Sequence, residues 1–175
     1  MSHPLVDLAR EAIREYLRSG EYLDVSRRPG DGPPQGLFVS LHDAPDPGEV
    51  EGRLRGCRGS IRPLGPTLYA EVVRQAVNSA VDDPRCPSVL PGEVDGLDIT
   101  VYLLGRYEPV QGVAEMDPAR YGIIVEATGG RRALLLPGIP GIDSAAEQLH
   151  LTKRKAFIEP EEPVTIYRFE AKVLK

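Results

Sequence analysis

The stretch that most limits the fold is "PTLYAEVVRQAVNSAV" (66–81). Leu68/Tyr69, Val72/Val73, Ala76/Val77 and Ala80/Val81 recur every four residues. That spacing predicts a helix with a broad apolar stripe that must be buried. Pro66 suits its first turn, and "DDP" ends it at Pro84. Two further helices are predicted. Near the start, Leu5, Ala9, Ala12, Ile13, Tyr16 and Leu17 share a face, with Pro4 in the first turn and Gly20 as the stop. Later, "DSAAEQLHLTKRKAFI" is entered through Asp143 or Ser144 as a cap, and its "KRK" reads as a solvated end suited to the helix dipole.

Between these segments the apolar period drops to two. "GLFVSLH" turns Leu37, Val39 and Leu41 one way. After the turn-rich "DAPDPGEVEG", "LRGCRGSI" reads as the returning strand, with Arg55, Cys57, Gly59 and Ile61 opposite Leu54, Gly56, Arg58 and Ser60. "LDITVYLL" follows, with Leu97, Ile99, Val101 and Leu103 inward and Asp98, Thr100 and Tyr102 alternating with them. "GIIVEATGGRRALLLPG" reads as a hairpin turned at Gly129-Gly130, and "PVTIYRFEAKVL" as the last strand. Glycine and proline sum to 18 + 17 = 35, so many turns are needed, and "SRRPGDGPPQG" (26–36) is a loop. The order of elements is that of an α+β protein with an antiparallel sheet, not of alternating βαβ units. A length of 175 residues predicts one domain over 1–175 with room for a small subdomain.

A net charge of −5 argues against a protein devoted to non-specific nucleic-acid or membrane binding. No apolar run approaches the roughly 18 residues of a membrane span, and the amphipathic start is no signal peptide, so the expectation is cytoplasmic. Three scattered histidines and two cysteines supply no ligand spacing for a metal and no cluster set, so neither metal nor cofactor is expected.

Against this acidic background, "RLRGCRGSIR" (53–62) packs four arginines around Cys57. Neighbouring positive charge lowers a thiol's pKa, which makes Cys57 the candidate nucleophile, with His42 on the adjacent strand as the base to test. The competing reading is a small buried residue in a tight strand. Gly56 and Gly59 remove side chains on both sides of the thiol and so allow a ligand, or another backbone, to approach closely. Arg55 and Arg58 are candidates for holding an anion through guanidinium geometry, and equally for pairing with nearby acids. "DDPRCPS" reads first as a helix stop; Arg85, held between its two prolines, is the candidate to point into the same cleft, and Asp82 and Asp83 read as solvated helix-end acids rather than an acid–base pair.

These motifs resemble the AMMECR domain family, whose microbial members are the A protein of the AmmeMemoRadiSam system. "LRGCRGS" is similar to that family's Leu-Arg-Gly-Cys-Ile-Gly hallmark, "FVSL" to its preceding strand, and "DDPRCPSV" to its Asp-Pro-Arg-Phe-Pro segment. Arg58 and Cys86 depart from the usual isoleucine and phenylalanine, and the chain has no tryptophan. The resemblance implies helices flanking an antiparallel sheet, a smaller subdomain and a cleft near the hallmark strand. It also implies association with Memo-type and radical-SAM proteins. Two functions are consistent with it: a cleft protein for a small anionic or nucleotide-like ligand, as an enzyme component working with those partners, or a non-catalytic adaptor or nucleic-acid-associated module.

Overall fold

Local sequence signals and tertiary burial agree over most of the chain in the computed structural model, which describes residues 2–49 and 51–175. Helix α1 (Pro4–Ser19) begins where the His3 imidazole Nδ1 accepts from the Leu5 N–H at 3.2 Å and stops at Gly20, whose φ is +78°. Helix α2 (Leu68–Val81) is capped by the Thr67 hydroxyl, which accepts from the Ala70 N–H at 3.2 Å. Strands β1 (Leu37–Asp43), β2 (Leu54–Ser60) and β3 (Leu97–Val110) follow the expected alternation. Strand β3 is longer than its apolar run, because it continues through Gly105, where a side chain would press on the Glu170 carbonyl 2.9 Å away.

Two compact units divide the chain. The first takes the residues up to Leu104 together with Lys172–Lys175. In it, α1 and α2 bury one face of β1 to β3, built on Leu37, Val39, Leu41, Ile99 and Val101, against Ala9, Ala12, Ile13, Val72 and Ala76. Burying each larger side chain stabilises by roughly 1.5–3 kcal/mol. Here the width of the α2 stripe finds its partner.

The second unit, Gly105–Ala171, holds the hairpin of β4 (Gly122–Ala127) and β5 (Arg132–Leu135), helix α3 (Ala145–Lys155) and most of β6 (Val164–Leu174). Gly129 and Gly130 turn the hairpin at φ +87° and +83°, within a three-residue loop (128–130) closed where the Ala127 N–H donates to the Arg131 carbonyl at 2.9 Å. Its core is Ile123, Val125, Leu135, Ala156 and Ile158. Lys153 departs from the expected solvated helix end: it is buried, and its amine donates to the carbonyls of Pro160 and Glu162 at 2.6 and 2.7 Å.

The strand order is β2-β1-β3-β6-β4-β5, an antiparallel sheet in an α+β fold. Among the described residues no helix is long and apolar enough to cross a membrane.

Candidate functional site

Register decides which side of the sheet each residue of the hallmark strand faces. Ser40 pairs with Cys57 and Leu41 with Gly56, but His42 pairs with Leu54, so Arg55 is an extra residue in a bulge. Strict alternation expects Arg55 beside Cys57. The bulge instead brings its guanidinium to Asp43 (2.9 Å), which is in phase with the core-facing Leu37, Val39 and Leu41, and to Glu93 (2.8 Å). The Arg55 side chain is only 6% exposed, and those two acids hold its pKa well above the ordinary arginine value.

Neither glycine leaves an open hollow. A Cβ on Gly56 would collide with the Ser79 carbonyl of α2, and one on Gly59 with the Phe38 ring, so helix backbone and an aromatic side chain occupy those spaces. Arg58 reaches Asp82 at 3.4 Å, and its backbone N–H donates to the buried Ser79 hydroxyl at 2.9 Å.

Strand β2 lies at the sheet edge, where outward N–H and C=O groups need partners. The "DDPR" turn supplies them. The Cys57 N–H donates to the Asp83 carboxylate at 2.8 Å, and Arg85 Nη2 donates to the Cys57 carbonyl at 3.2 Å. Arg85 and Asp83 are joined to each other through two bonds, at 2.9 and 2.6 Å. The Cys86 thiol lies 3.6 Å from the Leu54 carbonyl on the same edge. Two side chains thus stand in for a neighbouring strand. Asp83 is held well below the usual carboxylate range, first by the Arg85 guanidinium and also by the Cys57 and Arg85 N–H groups, against the opposing cost of burial. Arg85 is therefore spent on this clamp rather than directed into a cleft.

The Cys57 side chain is out of phase with the core-facing residues, so it lies on the sheet face away from α1 and α2. The β1 and β3 registers place Ser40 and Thr100 in one row with it. Phe38 and Tyr102 form the next row on one side, and His42 and Asp98 on the other. Ser40 is 5% exposed and Thr100 4%, and neither hydroxyl is among the buried side-chain atoms left without a partner, which among the described residues are Arg55 Nε, Arg132 Nε and Gln148 Oε1. His42, also buried, has Nε2 at 3.5 Å from the Glu51 carboxylate. Burial pushes the Tyr102 phenol up to about 12, and the negative charges of Glu51, Cys57 and Asp98 add to the rise. These groups therefore converge on one patch of β2, β1 and β3.

Next to the patch lies an open concavity of about 550 Å³, lined by Asp43, Asp46, Glu49, Glu51 and Arg53 among others. No group of three histidine, cysteine, aspartate or glutamate side chains among the described residues could hold a metal ion. The sequence motifs led to Cys57 and His42 but not to Ser40, Thr100, Tyr102 and Glu51. Their only sequence signal is that polar residues hold every out-of-phase position of "VSLH" and "LDITVY". Buried Glu71 gave no signal at all. Burial opposes its charge, but donors from Ser60, Gln75, Gly65 and Leu64 hold it below the usual range.

A family model described as AMMECR1 matches residues 6–174. A protein of Thermotoga maritima is 40% identical over 175 residues, covering 95% of this chain and 94% of its own length. Protein CA_C1420 of Clostridium acetobutylicum is 35% identical over 95% of this chain, which spans only 34% of that longer protein. The crystal structure of the uncharacterized protein PH0010 from Pyrococcus horikoshii shares the fold, with a TM-score of 0.85 and 34% identity. That likeness covers 97% of this chain and 88% of PH0010.

Proposed function

The chain belongs to the AMMECR1 family, and from that premise we propose that the polar face of β2, β1 and β3 binds a small polar ligand, with the Cys57 thiol at its centre. One observation carries this reading: strand register brings the Cys57 thiol, the Ser40 and Thr100 hydroxyls and the His42 imidazole together on the sheet face that α1 and α2 do not cover. Polar groups converging in this way can hold a small molecule in one orientation. The side wall of Phe38 and Tyr102 gives an apolar surface beside these polar points, the usual composition of a small-molecule site.

The anion-binding and nucleic-acid readings draw less support. Arg53, Arg55, Arg58 and Arg85 are each paired with an acid, so none of these four guanidiniums stands ready for an anion.

The test is a thermal-shift screen of small polar metabolites on the full chain, followed by mass-spectrometric measurement of Cys57 alkylation. A compound that raises Tm and slows alkylation at Cys57, with both effects lost in Tyr102→Phe, supports the site. Stabilising compounds that leave Cys57 alkylation unchanged place binding elsewhere and refute it.

A further inference from the structure

A projecting aromatic ring and a hole lie beside one hairpin turn in the Gly105–Ala171 unit, and we infer that they join two copies of this chain in a two-fold dimer. The ring is that of Phe157, which is 87% exposed and whose backbone φ is +53°. It stands just past α3, where its N–H donates to the Arg154 carbonyl at 3.1 Å and the Ile158 N–H donates to the Lys153 carbonyl at 3.0 Å. In such a helix ending glycine is the usual left-handed residue, because a side chain there is strained. Burial inside the chain offsets none of that strain, since the ring stands in water. The loop nonetheless fixes its position. The Arg131 guanidinium donates to the Phe157 carbonyl at 2.8 Å and pairs with Glu162, while the buried Lys153 amine ties the Pro160 and Glu162 carbonyls. An aromatic presented in this way loses little freedom on binding, which suits an interface anchor.

The hairpin turn that holds Phe157 through Arg131 also borders the hole. This open concavity of about 370 Å³ is lined by Glu126, Ala127, Thr128, Pro163, Val164 and Thr165. A two-fold interface needs a ring and a hole on each copy, so that the same contact forms twice. The charges around the two also match. Near the ring, Arg154, Glu159 and Glu161 are exposed and in no ion pair among the described residues, and the Lys155 amine donates to the Leu134 carbonyl. At the hole, Glu126 and its cross-strand neighbour Arg132 are likewise in no ion pair, the Arg132 guanidinium lying 5.9 Å from the Tyr107 ring centre. Arg154 can thus meet Glu126 of the partner subunit, and Glu159 or Glu161 can meet Arg132 of the partner subunit. Opposite signs set in this order favour a second copy over an unlike surface.

Sedimentation velocity of the full chain from about 1 µM to 1 mM tests the dimer. Wild type is expected to pass from monomer to dimer within that range. Phe157→Gly removes the ring and relaxes the backbone, whereas Thr165→Arg fills the hole from an exposed position. Each alone is expected to weaken association by about tenfold or more. An equimolar mixture of the two variants regains one ring-in-hole contact and should associate more tightly than either variant alone. At the lowest concentration, the Tm of Phe157→Gly should lie above that of wild type or within about 2 °C below it. A larger fall means that the ring serves the fold, and overturns the inference. A wild-type chain that stays monomeric throughout, a dimer unmoved by both substitutions, or a mixture no tighter than its components overturns it as well.

Discussion

Replacing Asp83 with alanine removes the clamp that holds the Cys57 peptide, and its cost can be worked from the contacts. The carboxylate accepts from the Cys57 N–H at 2.8 Å and from the Arg85 side chain at 2.9 and 2.6 Å, and is only 2% exposed. A hydrogen bond from a backbone N–H to a charged acceptor is worth roughly 1.5–3 kcal/mol. The ion pair adds no more than about 1 kcal/mol, because the Arg85 end is half-exposed and can return to water. The expected loss is therefore about 2–4 kcal/mol at neutral pH, or roughly 4–16 °C in Tm for a chain of this size. The pH dependence follows from the depressed carboxyl. Its contribution is complete above the unfolded-state pKa and declines as pH falls toward the lower folded-state value. With an unfolded value near 3.9, the gap between wild type and Asp83→Ala should narrow by about 1.3 kcal/mol at pH 3. Urea unfolding at pH 7.5, 5 and 3 reads both quantities. A gap under about 1 kcal/mol at pH 7.5, or one that persists undiminished in acid, refutes the clamp.

Two substitutions test the packing behind the face. Gly56→Ala drives a methyl group into the Ser79 carbonyl, a backbone atom that can move only with α2, so a loss of about 3 kcal/mol or failure to fold is expected; a Tm within about 2 °C of wild type contradicts that contact. Glu71→Gln sets an amide N–H₂ against donors from Ser60, Leu64, Gly65 and Gln75, and should cost about 2–3 kcal/mol by urea unfolding. An unchanged midpoint would mean that those four donors do not depend on the carboxylate.

What sequence could reveal was whatever depends on local period. The four-residue repeat of α2, the Gly20 stop, the paired glycines of the hairpin and the inward set Leu37, Val39, Leu41 are all legible that way. The candidate site resisted for three physical reasons. A single extra residue at Arg55 breaks the alternation, and no composition signal marks it. Arg55 is neutralised in part by Glu93, which comes from a short 3-10 turn (Pro91–Gly96) that has no strong periodicity. The row Cys57, Ser40, Thr100 exists only through the registers of β2, β1 and β3, which are set by tertiary pairing. The two glycines of the strand are points of close approach, and it is α2 and Phe38 that approach.

The polar face is most directly tested by the unfolding free energy of the double variant Ser40→Ala/Thr100→Val, which keeps shape and deletes both hydroxyls. If they face a ligand rather than the fold, stability without ligand should stay within about 1 kcal/mol of wild type, because no hydrogen bond inside the protein is lost. A fall of more than about 2 kcal/mol would show that these hydroxyls serve the fold, and the site would lose two of the groups on which it stands.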